Sequence, residues 1–386
     1  MAFFLRLILR NLMRQRLRNG LTSLGVVVAI VAFGLLRTLV DAWYAGVEGT
    51  APNRLITRNA VSLMFALPIH YGARIRQIDG VRVVSHITWF GGIYQDPKNF
   101  FPQFAIEPAS YLALYREYLV SEQERAAFLR DRKGALAGRK LVERYGWKIG
   151  DTIPLEGTIY PGTWTFVLRG VYRGADAKTD ETQFFFHWEY LNETLKRWRS
   201  ARAEHVGAFV VGIDPPERAA EISAAIDDGF RNSRAETLTE TEKAFQLGFV
   251  FMTEAIVAVI EIVSGVIIVI VLAVLANTMA MSVRERKREY ATLKALGFGT
   301  WHLGGLIVGE ALLISAIGGA LGIALTFPIA AEFAVRLSNW FPIFRVSEST
   351  VVLAAGASLL VGILAAAFPV WQVWRTSVTD GLSSLG

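Results

Sequence analysis

Four stretches of the chain lack the polar punctuation of a soluble protein: residues 20–42, 250–281, 303–333 and 350–374. Gly20 to Leu36 carries no charge, Val257 to Met281 is interrupted only by Glu261, Leu303 to Ala331 only by Glu310, and Val351 to Trp374 by no ionisable group. A hydrocarbon layer of ~30 Å takes ~20 apolar helical residues, so each stretch predicts a membrane-spanning helix. The second is longer than a span requires, since residues 250–281 would reach ~48 Å as a helix. The excess predicts a helical stalk, with Glu261 near the outer boundary and Glu254 beyond it. Arg37 falls where its stem can snorkel outward, and Asp41 lies one turn further on as a partner.

Between the first and second stretches the composition is that of a soluble domain. Patterning predicts strands at Val81–Trp89, Phe104–Glu107, Thr152–Leu155, Thr163–Tyr172 and Val206–Ile213. Helices are expected at Ser110–Arg130, at Gly138–Tyr145 before a closing Gly146, and at Glu217–Arg231 after the Asp214-Pro215-Pro216 stop. Trp89, Phe90, Tyr94, Phe100, Phe101 and the run from Phe184 to Trp188 read as core, the alternative being a lipid or protein contact surface. The fold class is therefore an α-helical integral membrane protein with four transmembrane helices and a large α+β extracytoplasmic domain inserted between the first and second. The expected division is an amphipathic N-terminal helix over 1–18, span and stalk over 19–43, a two-lobed α+β domain over 44–248, and span and stalk over 249–281. A turn over 282–302, a third span over 303–333, an outer loop over 334–349, a fourth span over 350–374 and a tail over 375–386 complete it.

Composition agrees: 53% of the 386 residues are hydrophobic, too many for an ordinary soluble chain. With no cysteine there is no disulfide scaffold, Cys-zinc site, iron–sulfur cluster or thiol nucleophile. The net charge of +6 gains meaning from its placement. Arg6, Arg10, Arg14, Arg16 and Arg18 precede the first span, and Arg284, Arg286, Lys287, Arg288 and Lys294 lie between the second and third, whereas 334–349 holds only Arg336 and Arg345. The positive-inside rule then expects both termini and the 282–302 turn in the cytoplasm and the large domain outside. The apolar run after the N-terminal arginines exceeds a signal-peptide core and lacks a clear cleavage site, so an uncleaved anchor is expected. Residues 3–17 read either as a helix in the headgroup layer or as an extension of the first span.

Catalytic constellations are missing from the sequence. It has no G-x-x-x-x-G-K-[ST] loop, no G-x-S-x-G elbow and no H-E-x-x-H pair, and its histidines, His70, His86, His187, His205 and His302, are scattered. No metal or cofactor is expected in this chain, and the basic clusters beside lipid spans give no nucleic-acid site. Glu310, inside the third span, is a functional candidate with two readings, a structural hydrogen bond to a Ser or Thr hydroxyl, or a proton or substrate role. Gly305, Gly309, Gly318 and Gly322 give small-xxx-small spacing for helix packing, within one subunit or across a dimer.

The most informative segment runs from Asn277 to Gly297. Arg284 stands four residues from Arg288 and Glu285 four from Glu289; Tyr290, Leu293, Leu296 and Phe298 add an apolar edge, and Gly297 is a helix stop. A short amphipathic helix between two spans suits docking of a cytoplasmic partner. The segment resembles the MacB/FtsX-type permease family of ABC transporters through Asn277, Val283, Glu285, Arg286, Arg288, Glu289, Leu293, Lys294, Ala295 and Gly297. Glu310 followed by Gly318, Gly319 and Gly322 is similar to the family, as are Pro369 before a basic Arg375 and the stretches 136–155 and 164–172.

The resemblance implies a dimer of permeases, homodimeric or related heterodimeric, bound to a separate ABC-type ATPase subunit dimer that carries the ATP and magnesium. Arg284, Glu285, Arg286, Arg288, Glu289, Leu293, Leu296 and Gly297 become the ATPase-coupling residues. It further implies a non-catalytic subunit that couples ATP hydrolysis to movement of its outer domain, for efflux or export of lipid, lipoprotein or peptide. A periplasmic adaptor and outer-membrane channel stay open, as does membrane lipid as a partner. A transmembrane sensor or scaffold without transport is the alternative. The Thr376–Leu382 tail departs from the family's basic, Pro-containing run.

Overall fold

The computed structural model describes residues 7, 10, 13–176, 178–337, 341 and 343–375. The chain forms two compact units, one of residues up to Ala42 with Thr253–Arg336 and those from Phe344 onward, the other of Trp43–Met252 with Leu337–Ile343. Helix α1 (Arg16–Glu48) comes first. The second unit then contributes strands β1 (Arg54–Asn59), β2 (Leu67–Pro68), β3 (Val81–Trp89), β4 (Gly92–Ile93), β5 (Gln103–Ile106), β6 (Tyr118–Leu119) and β7 (Gly134–Gly138). It continues with β8 (Thr152–Gly157), β9 (Gly162–Gly174), β10 (Phe184–His187), β11 (His205–Val206), β12 (Ala208–Ile213) and β13 (Thr237–Thr241). Helices α2 (Tyr71–Ile75), α3 (Pro108–Leu114), α4 (Glu122–Arg130), α5 (Arg139–Tyr145), α6 (Trp188–Arg197), α7 (Ala219–Gly229) and α8 (Glu242–Met252) intervene.

One mixed sheet threads this unit in the order β13-β1-β12-β3-β5-β10-β7-β9-β8-β4, with β6 paired to β9. The expected two lobes are thus joined by continuous strand pairing. Strand β10 shows why its sequence is apolar throughout: successive side chains point to opposite faces, and both faces are covered. Phe184 and Phe186 pack with Phe90, Trp164 and Phe166 on one side, while Phe185 packs with Tyr111, Phe128 and Tyr172 on the other. The aromatic run is core; Trp89 and Phe100 alone of that set remain 39% and 46% exposed.

The single helix expected over Ser110–Arg130 is instead two. Pro108 opens α3 at a position where a missing N–H costs nothing. After α3 the chain leaves helical geometry at Tyr115, and Ser121 starts α4 by accepting from the Glu124 N–H at 3.2 Å while donating to its carboxylate at 2.7 Å. Gly146 ends α5 at φ 66°, as its position in the sequence suggested.

The other unit holds α1, α9 (Glu254–Glu285), α10 (Lys287–Ala295), α11 (Thr300–Arg336) and α12 (Glu348–Arg375). All but α10 are long and apolar enough to cross a membrane, with 33, 32, 37 and 28 residues. Val26, Ile30, Leu275, Met279, Ile307 and Val361 form the centre of the bundle. Hydroxyls inside it bond back to their own helices, Thr38 to the Gly34 carbonyl at 2.7 Å and Thr326 to that of Gly322 at 2.8 Å. No water is needed to satisfy them.

Two of the four packing glycines meet α1. A Cβ on Gly318 would lie 2.9 Å from the Ser23 carbonyl oxygen, and one on Gly322 would lie 2.8 Å from Ile30. Gly309 is half-buried. Among the described residues of this one chain nothing stands within 4 Å of where a Cβ on Gly305 would be, so Gly305 makes no close helix contact within the subunit. It is the neighbouring Gly304 that faces Val370 and Trp374. Most of the expected N-terminal headgroup helix, the outer-loop residues 338–340 and 342, and the tail from 376 lie outside the described residues.

Candidate functional site

At the arginine-rich end of the bundle α9 stops at Glu285, and Arg286 leaves helical geometry at φ −103°, ψ 15° before α10 begins. The alternating charges of 284–289 therefore do not share one helix, as their spacing had suggested. The break turns the Arg286 guanidinium inward, where Nη1 donates to Glu310 at 3.0 Å and Nε to Glu289 at 3.2 Å. Tyr290 lies beneath it, ring centroid 5.4 Å from the guanidinium carbon. Glu310 is thus bound by an arginine of the elbow and not by a Ser or Thr hydroxyl.

The two acids of the segment are engaged by the start of the chain. Glu285 accepts from Arg18 at 2.7 Å and from Gln15 at 2.7 Å, and Glu289 accepts from Arg14 as well as Arg286. Arg14 and Arg18, four apart, meet Glu285 and Glu289, four apart. That matched spacing was the available signal, masked because the arginines were accounted for by topology alone. Burial favours the protonated form of Glu289, but Arg286 and Arg14 outweigh it and hold the carboxyl below its ordinary range. Burial pushes Tyr290 up to about 12.

Helix α10 ends in a paired cap: the Gly297 N–H donates to Lys294 O and the Phe298 N–H to Leu293 O, both at 3.0 Å, with Gly297 at φ 92°. Of its apolar edge, Tyr290 is buried and Leu293 packs on the bundle core, while Leu296 is 72% exposed. Trp301, just beyond, is 78% exposed. Arg284 and Arg288 are exposed as well. The site thus has an inner face bonded to α1 and α11 and an outer face of Arg288, Leu296 and Trp301.

A second charged cluster sits at the other end of the spans. Arg37 bonds Glu261 at 3.3 Å and Asp41 at 3.4 Å, and Asp41 accepts from the Ser347 and Thr350 hydroxyls that begin α12. Arg18 and Arg37 are 19 residues apart on α1, a rise of ~28 Å that matches the hydrocarbon thickness. Among the described residues no group of His, Asp and Glu could hold a metal ion. His86 and His187 are buried in the α/β unit, and burial lowers both.

Residues 261–378 match the family model described as FtsX-like permease C-terminal, a segment running from Glu261 through the elbow and Glu310 to the end of α12. Over that segment the chain is similar to the FtsX-like permeases. Among curated relatives, a macrolide export ATP-binding/permease protein MacB of Chromobacterium violaceum is 31% identical over 129 residues, 33% of this chain and 19% of that protein. The chain thus spans about a fifth of the length of the MacB relatives it matches. An uncharacterized ABC transporter permease of Methanocaldococcus jannaschii is 22% identical over 394 residues, covering 93% of this chain and 92% of its own. Among solved structures, the periplasmic region of MacB from Actinobacillus actinomycetemcomitans covers 53% of this chain and 95% of its own, at 8% identity and TM-score 0.37.

Proposed function

We propose that this chain is the permease subunit of a mechanotransmitting ABC transporter, in which a separate cytoplasmic ATPase moves α10 and the α/β domain responds across the membrane. The arginine-rich end is cytoplasmic and the domain extracytoplasmic, in an inner membrane. The observation that carries the reading is a two-sided elbow around α10: Glu285, Arg286 and Glu289 tie it to the N-terminal arginines and to α11, while Leu296 and, just beyond it, Trp301 face outward. A push on the outer face is passed to α1 through Arg18, to the segment just before it through Arg14, and to α11 through Glu310. ATP-driven closure shifts the domain only if the ATPase binds the two permease states with different free energies. This assigns Glu285 and Glu289 to the lever itself and Leu296 to the grip of the ATPase. The chain catalyses no reaction, pairs with a second permease copy, and serves efflux or export of lipid, lipoprotein or peptide.

The test separates grip from lever. Leu296→Asp is expected to abolish capture of the ATPase, whereas Glu289→Lys, which sets a cation against Arg14 and Arg286, keeps capture and loses ATP-driven export. Unchanged export in both variants overturns the proposal. So does maleimide labelling of Leu296→Cys from the side of the α/β domain, a measurement without background because the chain has no cysteine.

A further inference from the structure

Arg54 and Glu242 are two buried charges in the α/β domain, far along the sequence from the elbow. The antiparallel pairing of β1 with β13 sets Leu55 opposite Thr241, so Arg54 and Glu242, one residue further at each end, are brought to the same spot. Arg54 Nε donates to Glu242 at 2.7 Å, with side chains 3% and 7% exposed. Both belong to the segments that connect the domain to the spans: α1 ends at Glu48, six residues before Arg54, and α8, which Glu242 begins, ends two residues before α9.

The remaining bonds of the pair reach a different part of the domain. Arg54 Nη1 donates to the Leu114 carbonyl at the end of α3, at 3.1 Å, and Nη2 pairs with Glu117 at 2.7 Å. The Tyr115 hydroxyl donates to Glu242 at 2.8 Å, and the Arg54 guanidinium carbon lies 4.1 Å from the Tyr115 ring centroid. From there Tyr118 stacks on Tyr115 at 5.5 Å and meets Tyr172 of β9 at 4.8 Å. The sheet itself crosses from β3 to β5 over a short register, from Ile87↔Ile106 to Trp89↔Phe104. The ion pair and its tyrosines therefore make a second tie, between β1, β13 and α8 on one side and the lobe built on β9 on the other.

A buried ion pair adds little net stability, because desolvation offsets the attraction, yet breaking it leaves a charge without a partner. Apolar surfaces slide past one another at small cost, whereas this contact is favourable in one geometry. We propose that Arg54 and Glu242 are a positioning pair, a latch that holds α8 and the β9 lobe as one body, so that displacement of α8 is delivered to that lobe and not absorbed within the domain. That use of the latch rests on the mechanotransmission reading above; the latch itself does not.

The chain has no cysteine, so spin labels at Gln123→Cys and Lys243→Cys, both exposed, report one distance in the full chain in nanodiscs. Lys243 lies on α8, and Gln123 on α4, whose Glu124 stands against Gly170 of β9. A single narrow distribution is expected for the intact latch. Arg54→Met/Glu242→Met removes both charges for unbranched apolar side chains, and should keep the thermal stability while broadening that distribution, which loss of a merely stabilising pair would not do. Tyr115→Phe removes one hydrogen bond to a charged acceptor and keeps the ring stack. It should speed amide hydrogen exchange at Tyr115 and Tyr118 by about tenfold to a hundredfold, with Val210 of β12 unchanged, and it decides the matter should the double variant not fold. Arg82→Gln, at the exposed pair with Asp214, should alter neither readout. A distribution in the double variant as narrow as in the wild type, or exchange that rises equally at Val210, would overturn the proposal. Neither readout involves an ATPase or a cargo, so a broadened distribution with export intact would uphold the latch and count against mechanotransmission.

Discussion

Glu310→Gln removes one charge from the pair that joins the third span to the elbow, while keeping side-chain size. Glu310 is 4% and Arg286 12% exposed at the side chain, and their 3.0 Å separation gives a gross attraction of about 5 kcal/mol at an effective dielectric of about 20. Desolvation of both groups offsets much of this. Deleting one partner of a buried pair nevertheless costs about 3–5 kcal/mol, because the other charge is left behind. Arg286 retains Glu289 at 3.2 Å and the Tyr290 ring, so the loss should be smaller, about 2–3 kcal/mol. Unfolding of the wild type, Glu310→Gln, Arg286→Gln and the double variant in mixed micelles, followed by tryptophan fluorescence, completes the cycle. A coupling of about 1–3 kcal/mol is expected, with the double variant scarcely worse than Arg286→Gln. Additivity within about 0.5 kcal/mol would refute the reasoning, since the two groups would then not sense one another.

Packing predicts opposite outcomes at two glycines of α11. Gly318→Ala forces a methyl against Val26 and the Ser23 carbonyl and should destabilise the bundle by about 1–3 kcal/mol, whereas Gly305→Ala, in open space within the subunit, should gain up to about 1 kcal/mol of helix propensity. Thermal unfolding in detergent reads both, and equal shifts would contradict the packing. In the α/β domain, burial lowers His86 to about 4, Glu107 opposing and Arg76 reinforcing the shift. The unfolded chain takes up this proton near pH 6.5 and the folded chain only near 4, so stability should fall across that window as pH drops, by about 3 kcal/mol. His86→Leu should flatten that part of the pH profile of domain unfolding; an unchanged slope would count against a buried neutral imidazole.

The sequence by itself determined the features governed by solvent. Uninterrupted apolar runs specify spans because a lipid core excludes every alternative to a closed backbone, and the clustered arginines mark one end of them. Strand and cap signals such as Val81–Trp89, Gly146 and Gly297 were legible for the same local reason: each depends on residues within a few positions. The folded chain alone decided which charges meet. Glu285 and Glu289 read as alternating surface charges until α1 brings Arg18 and Arg14 across nearly three hundred residues of sequence, and Glu310 read as solitary until the break at Arg286 turned a guanidinium toward it. Gly305 and Gly318 share a motif, but of the two only Gly318 faces a neighbouring helix within the subunit, because spacing fixes a face and not what stands opposite. Ion pairs and close helix contacts join residues distant along the chain, so they come into existence only with the tertiary structure.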